Sequence, residues 1–213
     1  MSSIKSVVIS CAGIGSRLGL GLTKALVKIN GRSLISLQLE MFKNVEDLRI
    51  VVGFQANDII EEVMKYRQDV TFIFNHRYFE TKTGASFYLG ARHANDYILE
   101  WDGDLLVHPN DVKMILDQEG EFICYAEKAS EEAVFVKTDE HGNVLEFSRE
   151  CGDYEWTGPA CISKEHLAFC SNNVYNMFEP FLPMRGIKVR AYDIDTYQDY
   201  MRVSEIVKDW GFY

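Results

Sequence analysis

No apolar stretch of this chain approaches the ~18–20 residues that a membrane span requires, so no span is expected, and the net charge of −10 argues against an anionic membrane as partner. The first residues, Met1-Ser2-Ser3-Ile4-Lys5, run into Val7-Val8-Ile9 without a signal-peptide pattern, which predicts a cytoplasmic protein. Cysteine is scarce: Cys11, Cys124, Cys151, Cys161 and Cys170 are odd in number, and no two form a Cys-x-x-Cys pair. A disulfide framework and a zinc site are both disfavoured, and free thiols in a reducing compartment are expected. The five histidines (His76, His93, His108, His141, His166) fall at no triad or metal-binding spacing. A net charge of −10 argues against nucleic acid as a partner. One further absence is informative. From Met1 to Leu39 there is no Asp or Glu, while Lys5, Arg17, Lys24, Lys28 and Arg32 all fall there. A cationic segment in an anionic chain suits a polyanionic small molecule, although a solvated basic face would look the same.

What is present reads as an α/β fold. With 213 residues, 47% of them hydrophobic, the chain has material for one sizeable core and is expected to form a single domain over residues 1–213. Ser6–Ala12, Arg49–Phe54, Val70–Phe74 and Tyr97–Trp101 read as strands. Ser33–Lys43, Gln55–Tyr66 and Ala85–Ala94 between them read as helices. After a predicted helix at Pro109–Gln118 the pattern turns strand-rich, with Phe122–Ala126, Ala133–Lys137, Val144–Phe147 and Pro159–Ile162, and a turn at His141-Gly142-Asn143. Helices at Lys164–Cys170 and Tyr175–Phe181, a strand at Val189–Ile194 and a helix at Thr196–Lys208 complete the expectation. Such alternation predicts a three-layer α/β/α sandwich around a mixed, mostly parallel, Rossmann-like sheet.

Directly after the first strand stands Cys11-Ala12-Gly13-Ile14-Gly15-Ser16-Arg17-Leu18. Glycines between a strand and a helix let backbone N–H groups approach phosphate oxygens. A dinucleotide fingerprint would place a third glycine at Leu18, and a Walker A loop would need Gly-Lys-Ser/Thr; both are missing. Two aspartates, Asp102 and Asp104, close the apolar strand Leu99-Glu100-Trp101, where ligand sites of α/β sheets lie, although turn aspartates before His108-Pro109 would look alike. Asp195-Thr196, before the last helix, also suits an N-cap pair.

The continuation Thr23-Lys24-Ala25-Leu26-Val27-Lys28-Ile29 and Gly31-Arg32-Ser33-Leu34-Ile35 resembles the signature of the nucleotidyltransferase family that includes sugar-1-phosphate nucleotidylyltransferases and CTP:phosphocholine cytidylyltransferases. Thr23 stands where that signature has proline. Phe74-Asn75-His76-Arg77-Tyr78, Ser86-Phe87-Tyr88-Leu89 and Tyr192-Asp193-Ile194-Asp195-Thr196-Tyr197-Gln198-Asp199-Tyr200 extend the resemblance, to the bacterial phosphocholine enzymes, over nearly the whole chain.

The resemblance implies a nucleotide-binding half near residues 1–108 and an acceptor half near 109–213. It implies that Ala12, Gly13, Gly15, Ser16, Arg17, Lys24, Gly84, Ala85 and Ser86 bind the nucleotide, with Arg17 on the β- and γ-phosphates and Lys24 on the α-phosphate. Asp104 and Asp195 would hold Mg²⁺, with Asp102 a possible helper, and Lys24, Arg17 and Asp104 would carry catalysis. Arg149, Glu155 and Trp156 would meet the acceptor, with Arg149 on its phosphate. Trp101, Tyr154 and Trp156 could cradle an ammonium group or belong to the core, and Asp153 and Glu155 could pair with a cation or face water. The expected donor is an NTP, CTP foremost, and the expected acceptor a small phosphorylated compound such as phosphocholine. A sugar-1-phosphate enzyme and a catalytically silent nucleotide-binding domain remain alternatives. The oligomeric state is open, a homodimer included.

Overall fold

A computed structural model describes residues 5–15, 21–129 and 133–211. Strand β1 (Lys5–Ser10) lies at the centre, and its Val7-Val8-Ile9 run is wholly buried. Helices cover both faces of a central parallel strand, so it is continuously apolar rather than alternating. β1 pairs in parallel with β4 (Asp47–Val52) and β6 (Tyr97–Asp102), and β4 pairs in parallel with β5 (Thr71–Phe74). On the other side β6 meets β11 (Tyr154–Ser163) antiparallel, so the two halves of the sequence share one sheet. β9 (Phe135–Thr138) and β10 (Val144–Ser148) finish that edge; β8 (Phe122–Ala126) also pairs with β11, and β12 (Gly186–Lys188) with β8.

Helices α1 (Leu34–Met41), α2 (Ala56–Met64) and α4 (Pro109–Asp117) pack with Val7, Ile9, Leu99 and Trp101 on one face. α3 (Thr83–Ala91) packs with Val8, Val51 and Ile98 on the other, giving three layers. A short hairpin, β2 (Lys28–Ile29) with β3 (Arg32–Ser33), leads into α1, and Ser33 Oγ caps that helix by accepting from Ser36 N at 3.3 Å. Among the described residues no helix is long and apolar enough to cross a membrane.

Three expectations from sequence are corrected. Lys164–Cys170 is not a helix: a turn at residues 164–166 runs into irregular chain. The chain just beyond serves α3, since Ser171 O accepts from Lys82 N at 3.3 Å and Asn172 O from Gly84 N at 2.9 Å, supplying acceptors that the start of a helix lacks. A Cβ on Gly84 would come within 2.7 Å of Asn172 O, so this contact requires glycine.

Tyr175–Phe181 is split into 3₁₀ turns at Val174–Met177 and Glu179–Phe181, because Pro180 has no N–H to continue a helix. Of the expected strand Val189–Ile194 only Ala191–Asp193 (β13) forms; β12 ends at Lys188, before it. β13 pairs with β7 (Leu105–Val107), a strand that periodicity did not anticipate. The break falls at Arg190, whose backbone N and guanidinium both donate to Asp111 at 2.7–2.9 Å.

Candidate active site

At the carboxyl ends of β1 and β6 a cavity of about 400 Å³ opens. Its wall holds Ser10, Cys11, Gly13 and Gly15 after β1, Thr23–Ala25, Asp102–Asp104 after β6, Arg149 and Trp156, Asn173–Tyr175, and Asp193 and Asp195. A crevice beyond the carboxyl ends of parallel strands is where α/β sheets bind ligands, because the strands stop and the loops diverge there.

Lys24 opens a 3₁₀ turn, Lys24–Leu26, closed by Leu26 N donating to Thr23 O at 3.0 Å. Gln55 holds that turn by accepting from Thr23 N at 2.7 Å through its side-chain oxygen. The half-buried Lys24 ammonium donates to Asp104 Oδ2 at 2.5 Å and to Asp195 Oδ1. Asp104 lies in the tight turn between β6 and β7, where Gly103 N donates to Ser10 O at 3.0 Å. A Cβ at residue 103 would come within 2.8 Å of Ser10 O, so only glycine lets this turn close on β1. Ile194 N donates to Asp104 O at 3.2 Å and thereby brings the end of β13 alongside.

Asp195 then precedes α5 (Tyr197–Ile206). The cap is made by Thr196 and Asp199, each side chain accepting from the other's backbone N–H, at 3.2 and 2.9 Å, in a reciprocal capping box. With the cap made by its neighbour, Asp195 faces Lys24.

The electrostatics follow from crowding four aspartates around this ammonium. Burial works to lower the Lys24 pKa, but Asp104 and Asp195 outweigh it and hold the group above its ordinary value, so it is charged. Burial, then the neighbouring Asp104, pushes the Asp102 carboxyl up to about 7 despite Lys24. Burial followed by Asp104, Asp102 and Asp195 raises Asp193 well above the usual carboxylate range. Below the cavity, burial and then Asp102 raise fully buried Glu100, whose two carboxyl oxygens have no hydrogen bond among the described residues. Cys11 is raised by burial and then Asp104; it stays a thiol and is no nucleophile.

Asp102 yields a prediction. Its folded pKa exceeds its unfolded value of about 4, so the folded state binds more protons, and stability falls as pH rises from about 4 to about 7. In metal-free protein Asp102→Asn is expected to raise Tm by a few degrees near pH 8 and by little near pH 4. An equal change at both pH values would show that Asp102 carries no such penalty.

The cavity holds Gly13, Gly15, Lys24, Asp104, Asp195, Arg149 and Trp156 of the residues expected from sequence. Ser16 and Arg17 lie outside the described residues. Several others sit off its wall. Ala12 is buried, its carbonyl accepting from Phe54 N at 3.1 Å. Gly84, Ala85 and Ser86 are buried in the first turn of α3, with Ser86 Oγ accepting from Asn75 Nδ2 at 3.0 Å, and Thr83 is the α3 residue that reaches the cavity. Glu155 is buried and accepts from Ala129 N at 2.9 Å, and Asp153 accepts from Thr138 N at 3.1 Å.

The three-aromatic cradle is not assembled. Strand alternation turns Trp101 to the other face, edge-on to Phe42 at 4.8 Å, while Tyr154 stacks on Tyr125 at 4.7 Å. Trp156 alone of the three lines the cavity. The wall instead gains Tyr175, beneath the Arg149 guanidinium at 5.6 Å, and no local signal marks it in the sequence. None of the histidines lines the cavity. Among the described residues no three His, Cys, Asp or Glu side chains gather as a metal cage.

Comparison with known proteins gives the family and the fold. The sequence profile of the MobA-like NTP transferase domain matches residues 7–168. The choline-phosphate cytidylyltransferase of Streptococcus pneumoniae (strain ATCC BAA-255 / R6) is 26% identical over 233 aligned positions, covering 95% of this chain and 98% of that one. The solved CTP:phosphocholine cytidylyltransferase of S. pneumoniae superposes with a TM-score of 0.78 at 23% identity, over 95% of this chain and 99% of that one. The inositol-1-phosphate CTP transferase from T. maritima matches with a TM-score of 0.80 at 17% identity, over 98% of each chain. A putative glucose-1-phosphate thymidylyltransferase from Bacillus anthracis matches with a TM-score of 0.78 at 15% identity, over 98% of this chain and 97% of that one.

Proposed function

Because the chain belongs to the MobA-like NTP transferase domain family, we propose that it transfers a nucleoside monophosphate, CMP foremost, from an NTP to a small phosphorylated acceptor and releases pyrophosphate. The observation that carries this reading is the charged Lys24 held between Asp104 and Asp195 at the rim of a glycine-lined cavity. An acceptor phosphate oxygen attacks the α-phosphorus, and the bond from that phosphorus to the β-phosphate bridging oxygen breaks. No general base is required, since the acceptor phosphate (second pKa about 6) is already ionised at neutral pH. Such transfers are catalysed by positioning and by cations placed where charge develops. Lys24 supplies one such cation to the α-phosphate, and Arg17 is assigned to the β- and γ-phosphates on the strength of the motif.

The donor set fits Mg²⁺. Two carboxylates already share one cation, and Mg²⁺ takes one or two carboxylates with phosphate oxygens and waters rather than a closed protein cage. Asp104 and Asp195 would hold it, and when bound it would neutralise charge on the polyphosphate. On entry of nucleotide, Lys24 exchanges its carboxylate partners for the α-phosphate.

For the acceptor, Arg149, on the cavity wall over the Tyr175 ring, is assigned to the phosphate, and Trp156, also on the wall, is assigned to an ammonium group. The choline-phosphate relative supports phosphocholine or a similar phospho-amino compound or phosphonate, with CTP as donor. A sugar-1-phosphate substrate is the second reading, kept by the signature that resembles that of sugar-1-phosphate nucleotidylyltransferases; a putative glucose-1-phosphate thymidylyltransferase shares the fold. The deciding measurement is kcat/KM for CTP with phosphocholine against UTP, dTTP or GTP with hexose 1-phosphates. At least ~10-fold preference for the first pair is expected, the scale of about 1.4 kcal/mol in transition-state binding. The reverse preference would replace the acceptor assignment, and absence of turnover with every pair would favour a catalytically silent domain.

A further inference from the structure

We infer that Gln38 is a positioning residue for Asp104: its buried carboxamide grips the two carbonyls that flank the β6–β7 turn and holds the carboxylate where it can share a cation with Asp195. The inference rests on the assignment of Asp104 and Asp195 to metal binding and deepens it.

Gln38 lies mid-helix in α1 with no exposed surface, among Leu34, Ile35, Leu37 and Leu39. A carboxamide taken out of water is costly unless its hydrogen bonds are replaced. The two Nε2 protons are replaced in full, donated to Asp102 O at 2.9 Å and to Leu105 O at 2.7 Å. Its Oε1 has no partner among the described residues, so the side chain's polar function is concentrated on those two carbonyls.

They bracket the Gly103-Asp104 turn. Four consecutive residues are thus anchored: Asp102 O by Gln38, Gly103 N by Ser10 O, Asp104 O by Ile194 N and Leu105 O again by Gln38. The middle two anchors are backbone to backbone, and the outer two are one side chain. On the β1 side the turn is packed closely, since a Cβ at residue 103 would lie 2.7 Å from Cys11 Sγ. Freedom released by losing Gln38 therefore falls on the α1 side and changes the spacing of Asp104 from Asp195. Partners that orient a metal ligand this way are commonly worth ~10–100-fold in metal affinity.

Gln38→Met, close in length and apolar, and Gln38→Glu, isosteric but without an N–H₂, test the idea by Mn²⁺ titration of nucleotide-free protein, followed by electron paramagnetic resonance. Folding is checked by a cooperative melting transition. At least ~10-fold weaker Mn²⁺ binding is expected. The half-saturating Mg²⁺ concentration in turnover should rise in parallel, and excess metal should recover most of kcat. A packing role alone would lower Tm and leave the metal titration in place. Folded variants with Mn²⁺ affinity within about twofold of wild type would overturn the proposal. Asp104→Asn in the same titration separates the two levels. If it too binds Mn²⁺ normally, the metal reading fails; if it loses the ion while the Gln38 variants keep it, only the role of Gln38 fails.

Discussion

Replacing Lys24 with alanine is expected to lower kcat by at least ~10²-fold, the scale for losing one preorganised contact to developing charge. The fold should survive, because Lys24 sits in a short turn held independently by the hydrogen bond from Thr23 N to Gln55. The same substitution should have a second effect of opposite sign. In the nucleotide-free protein the Lys24 ammonium occupies the space between Asp104 and Asp195, so an incoming divalent cation competes with it. Without the lysine, two carboxylates face each other with their shared counter-charge removed. Mn²⁺ binding to nucleotide-free Lys24→Ala should therefore tighten while turnover collapses. General damage to the site would weaken both. Turnover within about threefold of wild type would remove Lys24 from the mechanism. Unchanged or weaker Mn²⁺ binding would show that the ammonium and the metal do not share a place.

Asp104→Asn and Asp195→Asn are each expected to reduce metal-supported turnover by at least ~10²-fold, since several kcal/mol of charge stabilisation depend on the cation. The amide keeps the shape of the carboxylate but loses the charge that attracts Mg²⁺. Each variant retains a side-chain oxygen that can accept from Lys24, so the turn and the capping box at Thr196 and Asp199 should persist and Tm should change little. The two variants should behave alike, because the carboxylates contact the same ammonium from different elements, one after β6 and one after β13. Removing divalent ions from the wild type with EDTA should reproduce their defect. A wild-type rate untouched by EDTA would withdraw the metal from Asp104 and Asp195 and leave Lys24 as the principal cation at the transferred phosphate.

Much of this arrangement is legible in the sequence, because its signals are local. Val7-Val8-Ile9 and Ile50-Val51-Val52 read as strands because a strand buried on both faces needs an unbroken apolar run. Gly13 and Gly15 read as a phosphate-binding loop after the first strand, and Asp195-Thr196 reads as a helix start, because caps and turns are made within a few residues; the structure gives the cap to Thr196. Lys24, Asp104 and Asp195 were each findable from motif and strand-end position, and the structure brings these three into contact across 80 and 171 residues of chain.

What lay beyond the sequence depended on partners distant along the chain. Nothing local to residues 186–193 tells that β12 joins β8 while β13 joins β7, since the break is made by Arg190 bonding to Asp111, 79 residues away. Gln38 looks like an off-pattern residue in an apolar helix until the carbonyls of Asp102 and Leu105 arrive beneath it. The aromatic cradle failed because Trp101 and Trp156 lie on different strands, and only the assembled sheet decides which face each one takes. The sequence by itself determined the central strands, the helices that cover them, the start of the last helix and the chemical types at the ends of β1 and β6, since period, burial and capping act over a few residues. Tertiary structure alone decided which side chains share a cavity, because strand register and chain crossing set those distances and both are properties of the whole sheet.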